Sequence, residues 1–165
     1  MSFQKTVNQH LVPAYPGDFA DHGIRAVQVA GEQQYVAGTG GVTVGAFAWV
    51  KTDGTVVNAG TGVPAGFIHR NQQGLITTYL AGSTMTINAG FPIAVMAQGA
   101  FWAKTTTIAT VGQKVFASLT NGTIATGAAG ATVAGFIETP FTVASAAAAN
   151  ELIQISSFNY ATAIA

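Results

Sequence analysis

The chain has 165 residues, zero formal net charge, no cysteine and 7% charged residues, against about 25% in an ordinary soluble domain. Disulfides, thiolate metal sites and cysteine catalysis are therefore excluded. The six basic residues are scattered from Lys5 to Lys114 with no run among them, which argues against nucleic acid or an anionic membrane surface as partner. At roughly one charge per 640 Å² of the surface expected for a compact monomer of this mass, uncharged polar residues, protein partners or both must cover the rest.

The first 32 residues hold five of the twelve charges: Lys5, Asp18, Asp21, Arg25 and Glu32. The opening MSFQKTVNQHLVPAYPGD has no apolar core of a secretion signal, so the expectation is a protein made and used without a classical export step. Pro13 and Pro16 push Val12 and Tyr15 toward extended geometry. Neither helical nor strand periodicity is evident, and residues 1–30 read as an extended N-terminal arm. Its aromatics Phe3, Tyr15 and Phe19 would be wasted on a solvated tail. The arm either lies on a neighbour or folds back over its own domain.

From residue 31 to 165 a single β-barrel-like domain is expected. Val42–Val50, Leu75–Leu80, Phe91–Met96, Phe101–Ile108, Lys114–Leu119 and Leu152–Ser156 are β-branched and aromatic, punctuated by Gly, Asn and Asp. Short strands at regular spacing predict an all-β sandwich or small barrel. Ala144–Asn150 has helical composition but is too short to hold alone, which predicts one turn or a tight loop. No apolar stretch is long enough to span a bilayer as a helix.

An internal echo organises this region. Phe47-Ala-Trp-Val50, Asp53-Gly54-Thr55 and Ala65-Gly-Phe-Ile68 are answered by Phe116-Ala-Ser-Leu119, Asn121-Gly122-Thr123 and Ala134-Gly-Phe-Ile137. Asp-Gly and Asn-Gly supply the positive-φ residues of tight hairpin turns. The glycine of Ala-Gly-Phe-Ile permits a bulge or close backbone approach, after which the phenylalanine is expected to enter the core. The unit reads as a duplicated hairpin plus strand, two copies of which pack together.

Little in the chain points to chemistry. Asp18, Asp21 and His22 could in principle bind a metal or exchange protons, but they lie in the arm without a rigid scaffold, and both carboxylates serve equally well as turn caps. His69-Arg70 follows the first Ala-Gly-Phe-Ile and Glu138-Thr139 the second. A shared site would repeat its chemistry, so these read as surface positions, with an Arg70–Glu138 pair conceivable. There is no nucleophile elbow, Walker loop or dinucleotide fingerprint. Gly38-Thr-Gly-Gly41 reads as a turn, and Thr105–Thr107 is too short for a flat threonine ladder. Neither an enzyme nor a bound cofactor or metal is expected.

Val12-Pro-Ala-Tyr-Pro-Gly-Asp-Phe-Ala20 and the paired Ala65–Arg70 and Ala134–Thr139 units resemble the tailed-phage structural cement (capsid decoration) proteins. So do Gln72–Tyr79, Met85–Pro92, Val111–Phe116 and Ala144–Ile153. The ordered set covers nearly the whole chain. Gly23-Ile-Arg25 departs from the more Asn-Pro-Arg-like turn expected there. The resemblance implies a β-rich domain with an arm, bound as an oligomer to the outer capsid surface of the virion after synthesis in the host bacterial cytoplasm. The implied partners are the major capsid protein and other copies of itself, a trimer being favoured over a dimer. The residues expected to meet a partner are Val12, Pro13, Tyr15, Pro16, Phe19, Arg25 and Arg70. The alternative is a phage tail or adhesion β-module that binds a glycan or receptor. It would need exposed aromatic platforms, whereas Trp49 and Trp102 sit in apolar runs and read as core.

Overall fold

A computed structural model describes residues 14–29, 34–70 and 84–158. The described residues form thirteen short strands and no helix: β1 (Ala26–Val27), β2 (Val36–Ala37), β3 (Val42–Thr43), β4 (Phe47–Val50), β5 (Thr55–Val57), β6 (Gly66–Phe67), β7 (Thr86–Ile87), β8 (Met96–Gln98), β9 (Ala100–Lys104), β10 (Lys114–Ser118), β11 (Ile124–Gly127), β12 (Phe136–Val143) and β13 (Leu152–Ser156). They make a six-stranded sheet ordered β1-β8-β6-β4-β5-β2, a five-stranded sheet ordered β11-β10-β12-β13-β9, and a β3-β7 ribbon. Only β2 and β5 run parallel.

The fold is all-β and sandwich-like, and among the described residues no sheet closes into a barrel. The barrel half of the sequence expectation fails because the edges of the five-stranded sheet meet through one isolated backbone bridge and a few side-chain bonds rather than through paired strands. There Thr105 bridges Ile124, and the Thr106 amide donates to the Ile124 carbonyl. Threonine side chains reinforce that corner: the Thr106 hydroxyl also reaches Ile124 O, and the Thr107 and Thr126 hydroxyls lie 2.9 Å apart.

Alternation on β4 explains the layering. Phe47 and Trp49 enter the core between the two large sheets, with Phe67, Phe101, Phe141 and Ile153. Ala48 points the other way, into a second core with Val42, Val56, Ile68 and Val95. The central strands β4 and β6 of the six-stranded sheet are thus buried on both faces, which is why they read as continuous apolar runs. Val42–Val50 is two strands because the chain leaves the ribbon for the large sheet between them. In Phe91–Met96 only Met96 belongs to a strand; Pro92 has no amide to donate and makes an isolated bridge with Val36. Leu75–Leu80 falls outside the described residues. Ala144–Asn150 is a loop pinned by an Ala109–Ala147 bridge, with Asn150 at a φ of 68°.

The duplication is visible in the topology. β4 lies between β5 and β6 as β10 lies between β11 and β12. Both turns close alike: Asp53 Oδ1 accepts from the Thr55 amide and hydroxyl, and Asn121 Oδ1 accepts from those of Thr123. The Thr55 hydroxyl, then its amide, hold the Asp53 carboxyl below its usual value. Facing and register, however, are not repeated. Phe47 pairs with Phe67, whereas Phe136 pairs with Ser118. Phe67 is fully buried, and a side chain at Gly66 would collide with the Met96 carbonyl. Phe136 is only half-buried, which corrects the expectation that both enter the core.

Residues 17–29 join the two large sheets. Residues 17–20 run along β9: Gly17 N donates to Trp102 O at 2.7 Å, Trp102 N to Asp18 O at 2.8 Å and Ala20 N to Ala100 O at 2.9 Å. A few residues on, β1 pairs with β8 at the edge of the six-stranded sheet. One segment therefore covers an exposed edge of each sheet, where unpaired backbone would otherwise invite aggregation. Of the two sequence-level readings of the arm, folding back over the body describes residues 14–29.

Candidate docking surface

Residues 14–29, a strap lying along both large sheets, hold most of the residues expected to meet a partner. Asp18 Oδ2 accepts from the Tyr15 amide at 2.9 Å, and Asp18 Oδ1 receives Arg70 Nε at 2.7 Å. Arg70 N also donates to Gly17 O, so this residue is tied to the strap by backbone and side chain. Its guanidinium lies 5.0 Å from the Tyr15 ring centroid. Phe19 stacks on His69 at 5.0 Å and packs against Phe101 at 5.6 Å. Arg25 covers the outer side of Phe19, its Cζ 3.7 Å from the ring centroid, and donates to the Asp21 carbonyl. Tyr15, Pro16, Phe19, Arg25 and Arg70 thus belong to one neighbourhood. Val12 and Pro13 lie outside the described residues.

The conceivable Arg70–Glu138 pair is not formed. Arg70 takes Asp18, and Glu138 Oε2 accepts from the Gly130 amide. Of the residues after the two Ala-Gly-Phe-Ile motifs, Arg70 is exposed as a surface position, but His69 is half-buried and Thr139 is buried, its hydroxyl donating to Val115 O. Asp21 Oδ1 accepts from the Gly23 amide, a turn-capping contact. Trp49 is buried, with its indole N–H on Gly62 O, while Trp102 is half-buried on β9.

Burial raises the Asp18 carboxyl, but the Arg70 hydrogen bond, the Tyr15 amide and the Arg70 charge outweigh it and leave the group below 3.8. Its contribution is therefore present above that value and is lost as pH falls through the depressed one. The side chains are 43% (Arg70) and 27% (Asp18) exposed, so solvent screening keeps the pair weak. Asp18→Asn is expected to cost at most about 1 kcal/mol in urea unfolding at pH 7. A loss of several kcal/mol would mean that the pair anchors the strap.

Sequence reasoning missed the outer face of this segment. Tyr15 is 52% exposed, Ile24 76%, Val27 51% and Val29 85%. The only local signal for it is Val27-Gln-Val29, a short apolar-polar-apolar run at a strand edge. A chain so poor in charge thus exposes four large apolar side chains on one short segment, with Arg25 and Gln28 exposed among them, and such exposure marks a candidate protein contact. Among the described residues no group of three or more His, Asp or Glu could hold a metal ion.

The family model of the XM1 gp53 minor capsid protein matches residues 3–157. The chain belongs to that minor capsid protein family. It is a structural protein of a phage capsid, and its place is in the virion. A solved structure described as the capsid of Myoviridae phage XM1 contains a chain of similar fold, with a TM-score of 0.63 at 17% identity over 95% of this chain and 98% of that one. No curated protein matches. The capsid-associated family expected from the ordered motifs is thus the one found.

Proposed function

We propose that this minor capsid protein docks on the outer surface of the capsid and clamps neighbouring major capsid subunits, acting as a homo-oligomer, a trimer before a dimer. The observation that carries the reading is the exposure of Tyr15, Ile24, Val27 and Val29 on one segment of a chain whose family is capsid-associated. Val12, Pro13, Tyr15, Pro16, Arg25 and Arg70 would meet the partner. Phe19, turned inward onto His69 and Phe101, would hold the segment in place. The fold body serves as a rigid support, without catalysis.

The physics is that of many weak contacts. Burying apolar surface yields about 25 cal/mol per Å², from which association costs are subtracted. Copies engaging one closed lattice multiply modest affinities. Because such a protein binds assembled shell and not free subunits, it stabilises the shell by mass action.

Co-sedimentation with expanded, undecorated capsids of its own phage, followed by electron microscopy, tests this. Saturable binding with density at regular lattice positions is expected. Ile24→Asp and Tyr15→Ala should each weaken it by about 30-fold, the loss typical of a central contact residue. Deleting residues 1–25 is a poorer test, because it also uncovers the edge of β9 that residues 17–20 pair with. Absence of binding to any capsid form, with the protein found in tails, would favour the tail or adhesion module instead.

A further inference from the structure

We propose that His69 is an acid-sensitive latch, whose protonation releases the Phe19 strap from the body and so disperses the surface formed by residues 15–29. The functional consequence rests on the docking role above; the latch itself is a property of the free protein. His69 Nδ1 is sealed from solvent and has no hydrogen-bond partner among the described residues. Its ring lies against Phe19 at an interplanar angle of 29°, and Phe19 bridges to Phe101 below and Arg25 above.

A neutral imidazole tolerates this site, since Nδ1 can be a bare acceptor within an aromatic stack. An imidazolium carries N–H donors on both nitrogens. The one on Nδ1 would be buried unsatisfied, and the ring's charge would join that of Arg25 on the same side of the molecule. Asp18 and Arg70 offset each other beside it, Asp21 holds Arg25 through its carbonyl oxygen, and β9 contributes the uncharged Phe101 beneath Phe19. Burial, then the Arg25 charge, hold His69 below 6.5.

The released strap would leave His69 with an ordinary imidazole value. Closure is therefore strongest above pH 6.5 and weakens as pH falls below it, by no more than about tenfold per pH unit for one proton. The weakening ends once the closed form is itself protonated. Asp18, held below 3.8, keeps its charge in this window, so its pair with Arg70 does not explain a change there.

The test is amide hydrogen exchange on the full chain at pH 7.5 and 5.0, as protection factors. The strap–β9 amides of Gly17, Ala20 and Trp102 are compared with Ala117 and Ile153 in the sandwich core. Strap protection should fall about threefold or more relative to the core, and His69→Phe should remove that pH dependence. His22→Gln, at an exposed position, should leave it unchanged. If His69→Phe does not fold, titration of the His69 ring protons in the unaltered chain decides. A midpoint at or above 6.5 overturns the latch, as does flat strap protection. A working latch in a protein that binds no capsid would remove only the docking role.

Discussion

Phe101→Ala is expected to cost about 3–5 kcal/mol in urea unfolding, the range for truncating a buried phenylalanine. That is a large share of the roughly 5–15 kcal/mol by which a domain is stable. Phe101 is fully buried on β9 at the junction of the whole structure. Its ring centroid lies 4.9 Å from Phe67 of the six-stranded sheet, 6.1 Å from Phe141 on β12 and 5.6 Å from Phe19 of the strap. No cysteine is present to staple the sheets together. Alanine would leave a cavity bordered by three layers that cannot all collapse into it. Tryptophan fluorescence should report the shift, since Trp49 lies in the same core and Trp102 is adjacent in sequence. A cost below about 1 kcal/mol, small for any such truncation, would show that the sheets are held together elsewhere.

Two glycines that look equivalent in the sequence should behave differently. Gly54 and Gly122 are the second residues of the duplicated turns, at φ of 79° and 69°. Alanine at either must adopt a left-handed conformation, at about 1–2 kcal/mol. At Gly54 nothing lies within 4 Å of the added Cβ, and the cost should stop there. At Gly122 the Cβ would run into the Phe47 carbonyl. The Gly122 carbonyl also accepts from Phe47 N at 2.9 Å, a bond joining the two units. Relieving the collision moves backbone, and overpacking adds about 1–3 kcal/mol. Gly122→Ala is therefore expected to be the costlier by at least about 1 kcal/mol, measured by paired unfolding curves. Equal losses would mean that the contact between the units yields freely.

The three strands of each unit, their turns and the duplication itself were legible because each depends on neighbours in the chain. Asp53-Gly-Thr55 and Asn121-Gly-Thr123 close by side-chain bonds spanning two residues. The grouping of residues proposed for docking was legible only as a set of names. Tyr15, Phe19, Arg25 and Arg70 were singled out, yet neither Asp18 as the partner of Arg70 nor His69 as the partner of Phe19 could be read off. Those contacts join residues about fifty positions apart, and no local pattern records them.

By itself the sequence determined an all-β chain with little charge, no disulfide, a doubled hairpin unit and a family of capsid proteins. Composition, period-two apolar patterning and turn chemistry act over a few residues, so they survive in one dimension. Only the tertiary structure decided that the sheets stay open, that the two copies differ in register and that residues 17–29 bind both sheet edges. Similar local signals on the two units permit either facing of the strand that carries Ala-Gly-Phe-Ile. The choice falls to whichever side chains the opposing sheet can accept, as when Phe67 is buried among Phe47 and Phe101 while Phe136 stays half exposed.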